Sequence, residues 1–156
     1  MNKKKIVITG GLGYLGSEIC KLYSGEAWYQ YITVIDSKFS PVLISQLRNW
    51  GINFKQADLS DVESLDKILG QADIVIHLAG ITNVAYTKTE SNEKLDEEIY
   101  RVGVLGTRNL INCTPPSAKI IFPSTHVVFE GLTETKLNID EDESPTPILT
   151  YAKSKV

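Results

Sequence analysis

Short apolar runs alternate with helical patterns along the 156-residue chain, and this alternation limits the possible fold more than any other feature. Five runs predict strands, at residues 5–9, 31–35, 52–56, 74–76 and 119–122. Patterns typical of amphipathic helices follow each of the first four. Most of the runs are apolar throughout rather than on alternate residues, which is typical of a parallel sheet covered on both faces. The sequence therefore predicts an α/β domain of three layers, αβα.

The connections between parallel strands must be right-handed, which leaves few possible topologies. We predict a doubly wound, Rossmann-type sheet of strand order 3-2-1-4-5 in a single domain over residues 1–156. Ligands of such sheets bind beyond the carboxyl ends of the strands, where the strand order reverses. The predicted binding edge therefore collects residues 10–16, 36, 58, 77–80 and 124–126.

The helical patterns also predict which side chains face the sheet. In the first helix these are Leu15, Ile19 and Leu22. Ser60 is predicted to cap the amino end of the third helix, and Gly70 to end it. In the long fourth helix the predicted inner residues are Leu95, Ile99, Val102, Leu105 and Leu110.

Composition and charge narrow the class of protein. Apolar residues make up 42% of the chain and charged residues 22%, which is typical of a globular protein. The formal net charge of −3 offers no basic excess for a nucleic-acid partner. The first apolar run is too short for a signal peptide or a membrane span. Cys20 and Cys113 lack metal-ligand spacing, and two reduced structural thiols indicate a cytoplasmic protein without a metal site.

Three glycines after the first strand, Gly10, Gly13 and Gly16, predict a phosphate-binding turn. Gly10 would turn the chain sharply off the strand, and Gly13 would let backbone amides approach a pyrophosphate. Gly16 would let the following helix lie close to the sheet. Free amides and a partial positive charge at the start of that helix would bind the anion. A plain tight turn is the alternative, but the strand before it, the helix after it and the acid that ends the next strand favour the phosphate site.

That acid, Asp36, sets the expected cofactor. A carboxylate there can accept hydrogen bonds from both ribose hydroxyls and would repel a 2′-phosphate, so NAD is favoured over NADP. Lys38 nearby keeps NADP as the alternative. Asp58 follows the third strand and is placed to meet the adenine amino group, or else merely flanks the next helix.

Taken in order, these motifs resemble the NAD-dependent epimerase/dehydratase family, the extended short-chain dehydrogenases/reductases. The resemblance extends from Ile6 to Lys155 and rests on six segments, which are residues 9–16, Asp36, Asp58-Leu59, His77-Leu78-Ala79-Gly80, Ser124-Thr125 and Tyr151-Ala152-Lys153-Ser154-Lys155. It implies an NAD-dependent enzyme that acts on a nucleotide sugar with transient hydride transfer. Paired subunits are usual among similar proteins, so a homodimer is also an expectation.

The resemblance implies roles for individual residues. The pyrophosphate would be held by Gly10, Gly13, Tyr14, Leu15 and Gly16. Asp36 would bind the adenosine ribose, and Asp58 and Leu59 would lie at the adenine. Ala79 and Gly80 would line the nicotinamide side of the cofactor. Thr125 occupies the position of the family's catalytic serine or threonine, and Tyr151 and Lys155 match its Tyr-x-x-x-Lys pair.

The chemistry of that last pair suits proton transfer from an alcohol. Residues four apart share one face of a helix, so Tyr151 and Lys155 are predicted to lie side by side. An adjacent ammonium favours the ionised form of a phenol, which can then act as a base. Thr125 would hydrogen-bond the same substrate oxygen. A solvated amphipathic helix is the alternative interpretation of this spacing. His77 is predicted to be structural, and His126 is assigned no catalytic role.

Three departures from the family pattern modify these expectations. Gly103 lies where relatives commonly carry an asparagine on the cofactor side of the site. Phe129-Glu130-Gly131 has one residue more than the Tyr-Gly of many relatives, so a different loop shape is expected there. The sequence also ends at Val156, and we expect an N-terminal portion of a longer protein whose C-terminal substrate lobe is absent. The shortness of the chain and Gly103 motivate a second hypothesis, a non-catalytic NAD(P)-binding module that senses the cofactor or assembles with a partner.

Overall fold

The computed structural model describes residues 4–25, 31–82 and 93–156. In these ranges five strands alternate with helices along the chain. The strands are β1 (Ile6–Thr9), β2 (Ile32–Asp36), β3 (Asn53–Gln56), β4 (Ile74–His77) and β5 (Lys119–Ile121). The α-helices are α1 (Tyr14–Tyr23), α2 (Pro41–Asn49), α3 (Val62–Leu69), α4 (Glu93–Ile99), α5 (Thr107–Cys113) and α6 (Thr150–Lys153). A π-helical segment, Tyr100–Gly106, joins α4 to α5, and a 3-10 turn covers His126–Phe129.

The five strands form one parallel sheet in the order β3-β2-β1-β4-β5, so the predicted fold and strand order are confirmed. Ile8 in the central strand is in register with Val34 on one side and Ile76 on the other. Because successive side chains point to opposite faces, β1 contributes to two hydrophobic clusters. Val7 belongs to the cluster under α3 and α5, and Ile8 to the cluster under α1 and α2.

The helix α1 packs only in part through the predicted face, since Ile19 packs against the core as predicted and the other two residues do not. Leu15 and Leu22 are 51% and 75% exposed, so their predicted inward orientation is wrong. The buried residues are Gly16 and Cys20, and Ile19 packs beside them. A helix whose inner face begins with glycine can approach its neighbours more closely than one that must accommodate leucines.

The amino end of α3 also differs from the prediction. Asp61, not Ser60, caps the helix, because its side chain accepts a hydrogen bond from the N–H of Ser64 over 3.1 Å. Ser60 instead donates its backbone and hydroxyl hydrogens to Asp58. Gly70 lies at the carboxyl cap, as predicted.

The long helix around the π-helical segment follows the prediction only in part. Ile99 and Leu110 are buried and Val102 packs against the core, but Leu105 is 38% exposed, contrary to the prediction. A π-helical turn holds more residues than an α-helical turn, so a pattern of 3.6 residues per turn loses its phase there. Gly103 and Gly106 face inward instead. None of the helices in the described ranges has the length and apolarity that a membrane crossing needs.

Candidate functional site

The turn after β1 has the geometry that its glycines predict. Gly10 has a positive φ of 67°, and a Cβ at this position would lie 2.7 Å from the backbone nitrogen of Ala79. Its N–H donates to the carbonyl oxygen of Ile35 over 2.9 Å. The turn is therefore fixed against the ends of both neighbouring strands, and a side chain at Gly10 would break this fit.

The other two glycines of the motif differ from each other. A Cβ at Gly16 would lie 2.5 Å from the Cα of Gly11, so Gly16 allows α1 to pack on the turn itself rather than only on the sheet. Gly13 is exposed, its φ is −74°, and a Cβ there would meet only the carbonyl oxygen of Gly10, at 3.1 Å. The fold thus requires glycine at position 16, whereas a side chain at position 13 would need only a small shift of the Gly10 carbonyl oxygen. The absence of a side chain at Gly13 leaves the outer surface of the turn open.

The amino end of α1 opens onto this surface. Gly13 is its cap and supplies no side-chain hydrogen bond, and the first-turn side chains of Tyr14 and Leu15 are exposed. The first N–H groups of a helix have no partner within the helix. The ten-residue helix α1 therefore presents the free amides of its first turn, and the positive end of its dipole, at an open turn. This arrangement suits a phosphate group.

Asp36 lies at the end of β2, beside the turn. Its Oδ2 accepts a hydrogen bond from the backbone N–H of Leu12 over 3.1 Å, and its Oδ1 accepts one from the backbone N–H of Lys38 over 2.9 Å. An ionised carboxylate has about four lone-pair sites, so two remain for further donors such as ribose hydroxyls. The residue is part of the frame of the turn and also has acceptor capacity for a ligand.

The pair Asp58-Leu59 is divided between the surface and the core. Hydrogen bonds from the hydroxyl and the N–H of Ser60 lower the pKa of Asp58, and Arg101 lies 3.6 Å away. Leu59 is buried, and its side chain packs against Gly106. Of this pair, only the Asp58 side chain is partly exposed at this edge of the sheet.

His77 forms the centre of a buried hydrogen-bond chain below the site. The hydroxyl of Thr107 donates to the carbonyl of Gly103 over 2.6 Å, so it accepts from Nε2–H of His77, 2.9 Å away. Thr9 Oγ1 accepts the N–H of Ala79 over 3.1 Å and donates to Nδ1 over 2.7 Å. This chain fixes a neutral tautomer, and burial lowers the pKa of His77 to about 4, assisted by the positive charge of Lys155. The structural role predicted for His77 agrees with these bonds.

The predicted catalytic residues lie on two neighbouring segments. Tyr151 is half-buried in α6, whereas Lys155 lies two residues beyond the end of that short helix, so the predicted helical pairing is only partly present. The Nζ of Lys155 lies beside Gly80, where a Cβ on the glycine would be 3.5 Å from it. Thr125 caps the 3-10 turn by accepting the N–H of Val127 over 3.4 Å, which leaves its hydroxyl hydrogen available. Within the described ranges no hydrogen bond or ion pair joins Thr125, Tyr151 and Lys155 to one another.

Both residue-level departures from the family pattern have structural consequences. A Cβ at Gly103 would lie 2.9 Å from the Cβ of Ser154, so the missing side chain allows α6 to pack closely on the π-helical segment. The Oε1 of Glu130 accepts the N–H groups of Ile148 and Leu149, over 2.8 and 2.6 Å. Glu130 therefore holds the backbone directly before α6, a role that the sequence alone did not indicate.

His126 is exposed. Among the described residues, no group of three or more His, Cys, Asp or Glu side chains is arranged to hold a metal ion.

Comparison with known proteins relates these features to a family. The model of the 3-beta hydroxysteroid dehydrogenase/isomerase family matches residues 7–156. The UDP-glucose 4-epimerase of Mycoplasma genitalium is 30% identical over 98% of this chain and 45% of its own length. The UDP-Glc/GlcNAc 4-epimerase of Campylobacter jejuni superimposes with a TM-score of 0.80 at 28% identity, covering 97% of this chain and 46% of that one.

A further solved structure contains a cofactor. The UDP-glucose 4-epimerase of Brucella ovis, in complex with NAD, has a TM-score of 0.75 at 28% identity, over 96% of this chain and 44% of its own. The chain thus spans less than half the length of each of these relatives.

Proposed function

The chain belongs to the 3-beta hydroxysteroid dehydrogenase/isomerase family, within the NAD-dependent epimerase/dehydratase-like extended short-chain dehydrogenases/reductases, and we propose that it binds NAD for hydride transfer at an alcohol carbon. The family relationship that the motifs predicted is thereby confirmed. The observation that carries the proposal is the open turn at Gly13, where the free amides of α1 lie beside the carboxylate of Asp36.

The residues at this edge of the sheet fit a dinucleotide along its length. The turn at residues 10–16 would hold the pyrophosphate, and Asp36 the adenosine ribose. Asp58 would lie toward the adenine, and Ala79 and Gly80 toward the nicotinamide. NAD is proposed over NADP because the Asp36 carboxylate would repel a 2′-phosphate. The NAD complex of the Brucella ovis relative supports NAD as the cofactor. The chemistry that bound NAD supplies is the acceptance and return of a hydride.

Three side chains of the chain would manage the substrate hydroxyl. Tyr151 would remove its proton, and Thr125 would donate a hydrogen bond to its oxygen. The Lys155 ammonium, close to Gly80, would favour the ionised phenol and bind the ribose next to the nicotinamide. The ion pairs of the described ranges leave the Lys155 ammonium without a carboxylate partner, so its positive charge is not neutralised.

For the substrate we propose a nucleotide sugar, which the epimerase relatives over almost the whole chain support. A hydroxysteroid is a second candidate, because the family model that matches residues 7–156 is that of the 3-beta hydroxysteroid dehydrogenase/isomerase family. Both substrates present a secondary alcohol, so the same three side chains would serve either. The two are separated by measuring NADH formation with a panel of UDP-sugars and of 3β-hydroxysteroids.

The test of the catalytic assignment is Tyr151→Phe in the natural full-length protein. Turnover should be lost while NAD binding stays within about twofold, because only the ionisable oxygen is removed. Tyr100→Phe, at a half-exposed position of the π-helical segment, is the matched control and should change neither quantity. Undiminished turnover in Tyr151→Phe would remove its assigned role. NAD binding without turnover on any alcohol in the unsubstituted protein would instead favour a non-catalytic NAD-binding module.

A further inference from the structure

Lys155 is held at two points by the segment that follows β5. The hydroxyl of Ser124 donates a hydrogen bond to the Lys155 carbonyl oxygen over 2.9 Å. The Nζ of Lys155 lies over the ring of Phe122, 4.6 Å from its centroid. One short segment therefore fixes both the backbone and the ammonium of the same lysine. The distance to the ring is within the range in which a cation is attracted by an aromatic face.

The position of this ammonium is unusual for a lysine. Lys155 is partly buried, and burial lowers its pKa below the ordinary value. A buried cation is normally paired with a carboxylate, yet none of the ion pairs in the described part of the chain includes Lys155. The face of the Phe122 ring contacts the ammonium and stabilises its charge without neutralising it.

The ring of Phe122 is itself fixed from below. It stacks on the ring of His77 with centroids 5.2 Å apart and planes inclined by 18°. His77 is in turn hydrogen-bonded on both nitrogens, to Thr9 and to Thr107. Because His77 is neutral in this chain of bonds, it adds no full charge of its own below the ring. The end of β1, the end of β4 and the start of α5 together determine the position of Phe122.

We propose that Phe122 is a positioning residue, whose aromatic face holds the Lys155 ammonium against Gly80 as an unneutralised cation. This inference rests on the proposed function for its purpose, since Gly80 lines the proposed nicotinamide side of the site. A carboxylate in place of the ring would cancel the charge that Tyr151 and the ribose require. An aliphatic side chain would fill the space but would offer the ammonium no electrostatic attraction.

The experiment separates the electrostatics of the ring from its shape. Mono-, di- and trifluorinated phenylalanines are incorporated at position 122, which weakens the negative face of the ring with little change in its size. The pKa of Lys155 is then measured by NMR titration of its ε-carbon resonance. We expect the pKa to fall stepwise with fluorination, by about one unit in total. The same series at Phe54, a partly buried ring packed in the core, should leave Lys155 unchanged.

A Lys155 pKa that stays constant or rises through the series would overturn the proposal, since a ring that only fills space is indifferent to fluorination. NAD affinity measured on the same proteins should weaken by roughly three- to tenfold from the unmodified to the trifluorinated ring. The two proposals fail separately. If Lys155 responds but the unmodified protein binds no NAD, the proposed function fails. If NAD binds but Lys155 does not respond, the positioning role fails.

Discussion

The backbone N–H of Leu12 donates a hydrogen bond to Oδ2 of Asp36 over 3.1 Å, which joins the glycine-rich turn to the end of the neighbouring strand. The carboxylate that we propose as the ribose ligand is therefore also part of the frame of the turn. Removal of its charge should affect the choice of cofactor, and removal of its oxygens should also loosen the turn. Two substitutions at this position can separate these effects.

We predict that Asp36→Asn lowers the affinity for NAD by about tenfold and narrows the preference for NAD over NADP. The amide retains an oxygen for the N–H of Leu12, loses the acceptor for the N–H of Lys38, and loses the charge that repels a 2′-phosphate. Asp36→Ala should in addition lower the melting temperature. Titrations with both cofactors, followed by fluorescence, measure the ratio of affinities. Asp66→Asn, on the exposed side of α3, is the control, and an unchanged ratio in Asp36→Asn would refute the assignment.

Gly11 is a position at which the fold itself requires glycine. A Cβ there would lie 2.3 Å from Cγ1 of Val34, which is fully buried in β2. We predict that Gly11→Ala lowers the free energy of unfolding by about 1–3 kcal/mol, because the core must shift to admit the methyl group. Gly25→Ala, whose Cβ would contact nothing within 4 Å, should be close to neutral. Equal denaturation midpoints for the two variants would contradict the packing described for the turn.

His77 should make stability depend on pH in a defined window. Its pKa is lowered by burial from the ordinary 6.5 to about 4 in the folded protein, so between these values the unfolded chain binds the proton and the folded chain does not. Stability therefore falls as the pH decreases from 6.5 toward 4, by about 3 kcal/mol in total. Above pH 6.5 both states are neutral at this residue, and His77 contributes no slope.

Variants of the two histidines of the chain can show which of them causes this pH dependence of stability. Urea denaturation at a series of pH values should show the decrease in stability in the natural protein and in His126→Gln, which alters an exposed side chain. His77→Gln should be less stable at neutral pH, and its stability should change little across the window. The carboxylates with lowered pKa values, such as Asp58, lose their contribution only below about pH 4 and fall outside this window. A full slope retained in His77→Gln would contradict the assignment.

Glu130 should be required for the local structure before α6. Glu130→Ala removes the acceptor of two backbone N–H groups, and we predict a loss of about 1–3 kcal/mol in the free energy of unfolding. Glu130→Gln keeps an acceptor oxygen and should lose less than half of that. Hydrogen exchange at the amides of Ile148 and Leu149 provides the local measurement. Glu134→Ala, an exposed glutamate in the same loop, is the control, and unchanged exchange in Glu130→Ala would contradict the bonding.

The fold was predictable because its signals are local. The apolar runs and the glycine spacing depend only on neighbouring residues, so the strands and the turn at Gly10 could be anticipated. The strand order followed from the rule that connections between parallel strands are right-handed. The packing of α1 could not, because the choice of Gly16 and Cys20 over Leu15 and Leu22 depends on how closely the helix approaches the turn. The orientation of Leu105 depends on a π-helical turn, which has no periodic signature in the sequence.

The candidate site, like the fold, has features that the sequence predicts and features that it does not. Asp36 and the glycines lie in motifs of fixed spacing, and they were assigned from those motifs. The contacts of Phe122 with Lys155 and of Gly103 with Ser154 join segments far apart in the chain, and they arise only from the assembled sheet. Glu130 was recognised only as an additional residue in a loop, because its partners are backbone groups that no sequence pattern identifies.

The most direct test of the account is a calorimetric titration of NAD into the natural protein and into Gly13→Asp. The φ and ψ of Gly13 allow a side chain, and aspartate is a favourable helix cap, so the variant should fold after a small shift of the Gly10 carbonyl oxygen, which thermal melting checks. Its carboxylate would occupy the place proposed for the pyrophosphate and repel it. We predict saturable NAD binding to the natural protein and to the control Gly25→Asp, and at least a hundredfold weaker binding to Gly13→Asp. Equal NAD binding by all three proteins, or none by the natural protein, would contradict the assignment of this turn as the dinucleotide site.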